Sequence, residues 1–242
     1  MNPRSILQTE KITKSFGSFV CLSGVTFTIN PGDFFVIIVG ENGSGKTSLL
    51  NIICGLTPPD RGKLLFKGRN TKGKNFSWFT NQGMVRLFQE PRAFEQSSVL
   101  DCLLFSHYGE KMPGTLSCLI RPLSYRQQEN KAVEKAMSFL RTIGWENKTA
   151  ALAGELSFGQ RKLLALGTAL LSNGDFLVLD EPVAGLDQTQ IQLAVSLVQQ
   201  WINARKQQRA ALVVTHELEA FQGVASHALR LQNGIIARDE DA

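Results

Sequence analysis

The sequence predicts an α/β fold: a mostly parallel sheet flanked by helices, with an antiparallel β subdomain and an inserted helical subdomain. Three observations predict it. Asp33–Val39 forms a continuous apolar run, which is typical of a strand buried on both faces. Similar runs at Phe176–Leu179 and Ala211–Val214 alternate with segments of helical spacing, as in a parallel sheet. From about residue 97 to residue 153 helical spacing prevails, which indicates the inserted helical subdomain.

The elements then follow in chain order. Leu7–Thr13, and Val25, Phe27 and Ile29 in alternation with polar residues, predict antiparallel strands with one solvated face. Arg69–Gln82 is polar and shows little periodicity. The other predicted elements are a helix over Ser48–Ile53, strands over Lys63–Gly68 and Gly83–Phe88, two helical stretches separated by a loop containing Pro113, Gly114 and Pro122, helices from near Ser157 and over about Gln188–Lys206, a short helix from Glu217 and a hairpin at Asn233-Gly234.

A glycine-rich loop connects the first buried strand to the first helix. Its glycines allow positive φ and let backbone N–H groups approach phosphates, while the helix N-terminus adds roughly half a positive charge. A lysine can reach the β and γ phosphates, and a threonine hydroxyl can ligate Mg²⁺. The alternative is a glycine-rich turn before an ordinary helix. The loop predicts a nucleotide triphosphatase, with these candidate binding residues: Gly40, Glu41, Asn42, Gly43, Ser44, Gly45, Lys46, Thr47 and Ser48.

Two adjacent acids end a second buried strand. Asp180 and Glu181 follow Phe176–Leu179. In such a pair one carboxylate holds Mg²⁺, usually through water, and the next polarises the attacking water. The alternative is a helix N-cap with a surface partner. Because the loop requires a magnesium ligand from a neighbouring strand, we expect Asp180 to be that ligand and Glu181 to be the general base.

Over nearly its whole length, the chain resembles the ATP-binding subunits of ABC transporters. Leu156-Ser157-Phe158-Gly159-Gln160 is similar to the family signature, normally Leu-Ser-Gly-Gly-Gln, and precedes the two acids by a short helix and strand. Gln89 matches the Q-loop glutamine, Ala184–Asp187 the D-loop and His216 the switch histidine. Phe16 occupies the place of the aromatic that stacks on adenine.

The resemblance implies a role for each matching residue. Gln89 would sense Mg²⁺ and the attacking water, His216 would contact the γ-phosphate, and Phe16 would stack on the base, an interaction worth about 1–3 kcal/mol. Taken alone, Phe16 could be a core residue, Gln89 a strand-end cap and His216 a hydrogen-bonded core histidine. Asp187 could be a helix N-cap, and both of its roles can coexist.

In the family, the signature closes over the γ-phosphate held by a partner subunit. Ser157 opens a helix, which makes an anion site of hydroxyl, backbone N–H and helix dipole. The resemblance therefore implies that ATP joins two head-to-tail subunits, with Ser157, Gly159 and Gln160 contacting the nucleotide. Phe158 departs from the usual glycine, and we expect the signature to tolerate it.

The resemblance also sets the predicted domains and partners. We expect a single nucleotide-binding domain over 1–242, with a catalytic core and antiparallel subdomain at 1–96 and 174–242 and a helical subdomain at 97–173. The expected ligands are ATP and Mg²⁺. The expected partners are a second ATPase subunit, identical or a sibling chain, and transmembrane permease subunits, with Gln89 and the segment from Glu90 to about Ser106 forming the permease groove.

Composition bounds the remaining possibilities. The chain has 242 residues, 43% hydrophobic and 19% charged, as in ordinary globular proteins. No apolar run approaches the ~20 residues of a membrane-spanning helix, and the N-terminus lacks a signal-peptide core. We therefore expect a cytoplasmic protein, peripheral on the inner face of the cell membrane. The net charge of +5 is scattered, so no nucleic acid partner is expected. With no C-x-x-C pair, the cysteines are expected to be free thiols: Cys21, Cys54, Cys102 and Cys118.

Within the family, the segment Gly83–Gln89, the aromatic third signature residue and Ala184-Gly185-Leu186 are similar to the ATPases of branched-chain amino acid and urea importers. Export ATPases of the lipopolysaccharide type share much of this pattern, so they stay an alternative. A soluble ABC ATPase acting on ribosomes or DNA is a further alternative, disfavoured by the single nucleotide site and the absence of a long heptad insertion. A nucleotide sensor without turnover is disfavoured by Glu181.

Overall fold

The computed structural model describes residues 5–87, 95–108, 122–205 and 208–238. The chain divides into two compact units: Met1–Gln89, Gly174–Ala184 and Ala194–Ala242 form the first, and Glu90–Asn173 and Gly185–Leu193 the second. The strands, all in the first unit, are β1 (Leu7–Phe16), β2 (Phe19–Ile29), β3 (Phe35–Val39), β4 (Arg61–Phe66), β5 (Arg69–Asn70), β6 (Met84–Leu87), β7 (Phe176–Asp180), β8 (Ala210–Thr215), β9 (His227–Gln232) and β10 (Ile235–Arg238). The α-helices are α1 (Lys46–Ile53), α2 (Phe76–Asn81), α3 (Val99–Tyr108), α4 (Pro122–Thr142), α5 (Phe158–Leu171) and α6 (Gln188–Asn203), with 3₁₀ turns at Glu146–Lys148, Ala153–Glu155 and Leu218–Phe221.

A six-stranded sheet forms the centre of the first unit. Its strand order is β10-β9-β3-β8-β7-β6, and all neighbouring pairs are parallel except β10 with β9. Every residue of β3, β7 and β8 is buried, which explains why their sequences are continuous apolar runs rather than alternating ones. The predicted α/β class with a mostly parallel sheet is confirmed.

The second sheet is antiparallel and has the order β2-β1-β4-β5. Leu7 pairs with Ile29 and with Phe66, so the alternating apolar side chains of three strands share one face. This face joins the core that also contains Leu49 and Leu50 of α1. The antiparallel β subdomain is thus present, and it covers the helix that follows the glycine-rich loop.

One helix of the first unit lies where the sequence shows no periodicity. Asn75 caps α2 by accepting a hydrogen bond from the Trp78 N–H, and the buried Phe79 anchors the helix. The Phe79 ring lies 5.7 Å from that of Phe66, which in turn lies 5.6 Å from that of Phe176. A helix of six residues makes fewer than two turns, so it is too short to show a 3.6-residue period.

The second unit is helical. Helices α3, α4 and α5 pack together, and at Gly167 an added Cβ would meet the Phe139 ring and Leu103. Pro122, expected in the connecting loop, is the first residue of α4, a position where the missing N–H costs nothing. The loop predicted around Pro113 and Gly114 lies outside the described residues. Among the helices that the structure describes, none is long and apolar enough to cross a membrane.

Candidate active site

The parallel sheet gathers the predicted residues at one edge. β3 ends one residue before Gly40, β7 ends at Asp180 and β8 ends one residue before His216. Sheet pairing sets Val39 opposite Thr215. Because the carboxyl ends of parallel strands lie on the same side of a sheet, the loop, the two acids and the histidine converge there, where open α/β sheets bind ligands.

The glycine-rich loop leads into α1 through a backbone position that only glycine fits. Gly45 has φ of +103° and is the N-cap of α1. A Cβ at Gly45 would lie 2.9 Å from both the Cys21 carbonyl oxygen and Leu22 Cδ2, so a larger residue would meet strand β2 as well as strain the backbone. Beside the loop lies a cleft of about 280 Å³, lined by Cys21, Asn42, Gly43, Gly45, Lys46, Thr47, Ser48 and Glu181.

The loop lysine is enclosed by the loop itself. Lys46 is 7% exposed, and its Nζ donates hydrogen bonds to the carbonyl oxygens of Gly40, at 2.7 Å, and of Glu41, at 3.0 Å. The same Nζ lies 3.6 Å from Glu181 Oε1. These contacts hold a buried positive charge at the N-terminus of α1, an arrangement suited to a polyphosphate.

Glu181 has a strained backbone that directs its carboxylate into the site. Its φ is +48°, although it is not glycine, and its backbone N–H donates to the Val214 carbonyl at 2.8 Å. Such a conformation costs on the order of 1–3 kcal/mol and is typical of functional sites. The His216 Nδ1 lies 2.9 Å from Glu181 Oε2. The acid is therefore held between a lysine and a histidine, where it can accept a proton from water.

Asp180 is buried beside an arginine that the sequence analysis did not single out. Arg86 Nη2 lies 3.3 Å from Asp180 Oδ2. Burial raises the pKa of the Asp180 carboxyl, and the positive charge of Arg86 opposes this shift. A signal for Arg86 was available, because it is the one charged residue in the apolar run Gly83–Phe88. Charged residues are rarely buried in strands unless they are paired.

The oxygen atoms present fit a magnesium ion held together with a nucleotide. Asp180 Oδ1 is buried and has no hydrogen-bond partner among the described residues. Mg²⁺ prefers oxygen ligands and is usually bound by one or two carboxylates together with substrate phosphates. No group of three or more His, Cys, Asp and Glu side chains in the described chain could hold a metal ion. Asp180 and Thr47 are thus the residues that could hold it with the phosphates.

Phe16 and its surroundings are exposed. The Phe16 side chain is 53% exposed, so it is not a core residue, and Lys14 Nζ lies 5.6 Å from its ring centroid. A second cleft of about 360 Å³ lies beside the loop, and its apolar walls include Phe19 and Val20, which the sequence analysis did not consider. Gln89 lies outside the described residues. Leu87, two residues earlier, pairs with Leu179 of β7.

The signature residues open helix α5 in the second unit. Ser157 Oγ accepts a hydrogen bond from the Gln160 N–H at 3.3 Å, and Gln160 Oε1 accepts one from the Ser157 N–H at 3.1 Å. This capping box leaves the helix N-terminus exposed at Ser157. The Phe158 side chain is 51% exposed and lies over Gly185, with Lys162 Nζ 5.5 Å from its ring centroid.

Asp187, which belongs to the second unit, caps the start of helix α6. Its Oδ1 accepts a hydrogen bond from the Gln190 N–H at 2.9 Å. Gln190 also lies against Gly159, where a Cβ would collide with its side-chain amide. Gln190 therefore links the start of α6 to the first turn of α5. Asp187 is therefore a helix N-cap, as the alternative interpretation of the sequence predicts. The cap uses only Oδ1, so Oδ2 takes no part in it.

Comparison with known proteins agrees with this geometry. The family described as "ABC transporter" matches residues 22–184. The chain is 34% identical to the probable branched-chain amino acid transport ATP-binding protein LivG of Methanocaldococcus jannaschii over 96% of this chain and 88% of that protein. It is similar to the crystal structure of the ADP conformation of MJ1267, an ATP-binding cassette of an ABC transporter, with a TM-score of 0.77 and 34% identity over 98% of this chain and 92% of that one. The dimeric post-hydrolysis cassette MJ0796, bound to ADP and Pi, has a TM-score of 0.76 at 22% identity, with 97% of each chain covered, and shares the fold.

Proposed function

The chain belongs to the ABC transporter family, as one of its ATP-hydrolysing, ATP-binding subunits, and we propose that two such subunits close around two ATP molecules and thereby drive separate membrane subunits. The observation on which this rests is the convergence of Lys46, Glu181 and His216 at the carboxyl edge of the parallel sheet. A protein that only binds nucleotide would need no more than the lysine and the loop. The acid and histidine beside them suit turnover.

Each residue at this edge has a distinct proposed role. The loop N–H groups and Lys46 bind the β and γ phosphates. Glu181 accepts a proton from the attacking water through the carboxylate that His216 and Lys46 orient. His216, which is partly exposed, contacts the γ-phosphate through its other ring nitrogen, and donation from both nitrogens at once requires the protonated ring. Gln89 orients the water and the metal, and Phe16 stacks on the adenine.

We also propose a magnesium site made of Thr47 and Asp180 together with the phosphates. The unpartnered Asp180 Oδ1 supports this assignment. When bound, Mg²⁺ would neutralise phosphate charge in the transition state. Asp180 would hold the metal from the protein side, usually through water, and Thr47 would ligate it with its hydroxyl.

The second subunit would supply the signature. The N-terminus of α5, with the Ser157 hydroxyl and backbone N–H groups, is an anion site without an acidic residue in its first turn. We propose that Ser157, Gly159 and Gln160 of one copy contact the γ-phosphate held by Lys46 of another, with Asp187 near the same junction. The dimeric form of the structural relative MJ0796 supports pairing.

We propose that the whole chain is one nucleotide-binding domain, with the catalytic core at 1–96 and 174–242 and the helical subdomain at 97–173. The two compact units support this division in outline, although residues 90–96 and Gly185–Leu193 belong to the second unit. We propose import of branched-chain amino acids or urea through permease partners, with this subunit at the cytoplasmic face of the membrane. The name of the M. jannaschii relative, a probable branched-chain amino acid transport ATP-binding protein, supports transport of branched-chain amino acids.

Pairing can be tested with a variant that retains ATP. In Glu181→Gln the presumed base is lost, so ATP with Mg²⁺ should convert the purified chain from monomer to dimer, measured by light scattering. The double variant Glu181→Gln, Ser157→Arg should stay monomeric, because the arginine side chain blocks the signature site. If Glu181→Gln stays monomeric at saturating ATP, even with its membrane partner present, the proposal is wrong.

The permease contact can be tested by crosslinking. We expect crosslinks from the permease to the segment that follows Gln89, up to about Ser106. Crosslinks only to the end containing Ile235 would contradict this docking site. If the protein copurifies with ribosomes or DNA and not with membranes, the soluble ATPase is the correct alternative.

A further inference from the structure

Arg86 is a buried charge that the proposed reaction does not use. It lies in β6 among apolar residues, and its side chain is only 2% exposed. Removing a guanidinium from water is costly unless its donors are paired. The partners of Arg86 therefore show what the residue stabilises.

Those partners come from the two elements that form the nucleotide site. Arg86 Nη2 lies 3.3 Å from Asp180 Oδ2, at the end of β7, and both side chains are almost fully buried. Arg86 Nη1 donates to Asn51 Oδ1 at 2.8 Å, and the positive charge of the guanidinium lowers the pKa of the nearby Cys54 thiol, against the larger opposite effect of burial. Asn51 lies in α1, which begins at Lys46, and Cys54 is the C-cap of that helix.

The two oxygens of Asp180 are consequently in different environments. Oδ2 faces Arg86, while Oδ1 is buried and has no hydrogen-bond partner in the described part of the chain. A buried carboxylate oxygen without a donor is unfavourable. With Oδ2 held by the fixed fork of the arginine, rotation of the carboxylate is restricted, and Oδ1 is the oxygen left for another ligand.

We propose that Arg86 is a positioning residue for magnesium: it holds Asp180 Oδ2 so that Oδ1 is the oxygen available to the metal, and through Asn51 it fixes β7 relative to the helix that carries Lys46 and Thr47. This inference rests on the proposed role of Asp180. Arg86 contacts neither nucleotide nor metal in this arrangement. Outer residues that orient ligands in this way typically change metal affinity by about 10- to 100-fold when they are replaced.

The experiment measures metal binding rather than hydrolysis. A fluorescent ATP analogue is titrated into the full-length Arg86→Met variant and into the unchanged chain. Each titration is done without metal and at increasing Mg²⁺ concentration. We expect the affinity for the nucleotide without metal to be unchanged. The Mg²⁺ concentration that gives half of the maximal increase in nucleotide binding should rise about 10- to 100-fold. Binding of Mn²⁺ to the nucleotide-loaded chain, measured by electron paramagnetic resonance, should weaken in parallel. Arg61→Met, at an exposed arginine of β4, is the matched control and should leave both midpoints unchanged.

Two further variants keep the test decisive. Arg86→Lys keeps the charge but cannot fork between Asp180 and Asn51, so it should restore part of the lost affinity. Asn51→Leu keeps the Arg86–Asp180 pair and removes only the second contact. Asn51→Leu should raise the Mg²⁺ midpoint by less than Arg86→Met does. If Arg86→Met does not fold, the result for Asn51→Leu decides whether Arg86 positions Asp180.

Asp180→Asn separates the two hypotheses. If Asp180→Asn raises the Mg²⁺ midpoint and the folded Arg86 and Asn51 variants do not, Arg86 is only a structural ion pair and the inference is wrong. If Asp180→Asn also leaves the midpoint unchanged, the proposed magnesium role of Asp180 fails instead.

Discussion

At the scale of single residues, the proposed chemistry depends on a glutamate in an unfavourable backbone conformation. Glu181 has φ of +48° and is held by its N–H bond to Val214 and by contacts from its carboxylate to Lys46 and His216. Because only the surrounding contacts keep this conformation, the side chain is oriented before substrate binds.

The role of Glu181 can be measured directly. Replacing Glu181 by Gln preserves shape but removes the proton acceptor, so ATP turnover should fall by about 10²- to 10⁴-fold while ATP affinity stays near normal. Steady-state phosphate release and equilibrium titration with labelled ATP measure the two quantities. Glu217→Gln, at the neighbouring acid 3.5 Å from His216 Nε2, is the control and should retain most turnover. An unchanged hydrolysis rate in Glu181→Gln would remove Glu181 from the role of base.

The convergence of candidate residues at one edge of the sheet was predictable where a spacing rule exists. The loop, the two acids and His216 follow strands whose apolar runs are visible in the sequence, and the structure brings them to one edge. The pairing of Arg86 with Asp180 and with Asn51 was not predictable, because only tertiary packing brings β6, β7 and α1 together. A lone arginine in an apolar strand signals a buried pair but does not identify the partner.

At the scale of elements, helix α5 begins with a cap that serves two purposes. The capping box between Ser157 and Gln160 stabilises the helix, and the same N-terminus is the proposed anion site. A change at Ser157 that affects only one purpose would separate them.

Ser157→Asp is such a change. Aspartate caps helices as well as serine does, so the free energy of unfolding should be retained, but its negative charge should repel the γ-phosphate and abolish ATP-driven dimerisation in the Glu181→Gln background. Ser157→Ala should lower the free energy of unfolding by about 1 kcal/mol. Urea denaturation and light scattering measure the two effects, with Ser172→Ala at the other end of α5 as control. Normal dimerisation of Ser157→Asp would contradict the anion site.

Elements were predictable in proportion to their length and burial. β3, β7 and β8 are buried on both faces, so their apolar runs marked them clearly. Helix α2 was missed because it has only six residues, and tertiary contacts of Phe76, Trp78 and the buried Phe79 hold it together with the Asn75 cap. Such a helix exists through tertiary contact and leaves almost no periodic signal.

At the scale of the whole molecule, the two units should respond differently to nucleotide. The loop and the acids belong to the first unit, so ligand binding stabilises that unit directly. Tryptophans report on each unit separately, because Trp78 and Trp201 lie in the first and Trp145 in the second. Chains with two units need not unfold in a single transition.

We expect Trp145→Phe, which reports only on the first unit, to show a gain of about 2.7 kcal/mol in the free energy of unfolding at a nucleotide concentration 100 times the Kd. The double variant Trp78→Phe, Trp201→Phe keeps only Trp145 and so reports on the second unit. It should show a smaller gain in the free energy of unfolding. Urea denaturation followed by tryptophan fluorescence measures both. Lys46→Ala should lose the gain at the same concentration because it weakens binding itself. Equal gains in both reporters would contradict stabilisation confined to one unit.

The cysteines of the described chain differ in a way that has a practical consequence. Burial raises the pKa of the Cys54 thiol to about 12, so it stays protonated and inert, and burial also raises the pKa of Cys102. Cys21 is only partly buried and lines the cleft beside Thr47 and Ser48. With Cys118 replaced by serine, a maleimide dye should attach at Cys21. Its emission would then follow nucleotide arrival in real time, without modification of the nucleotide.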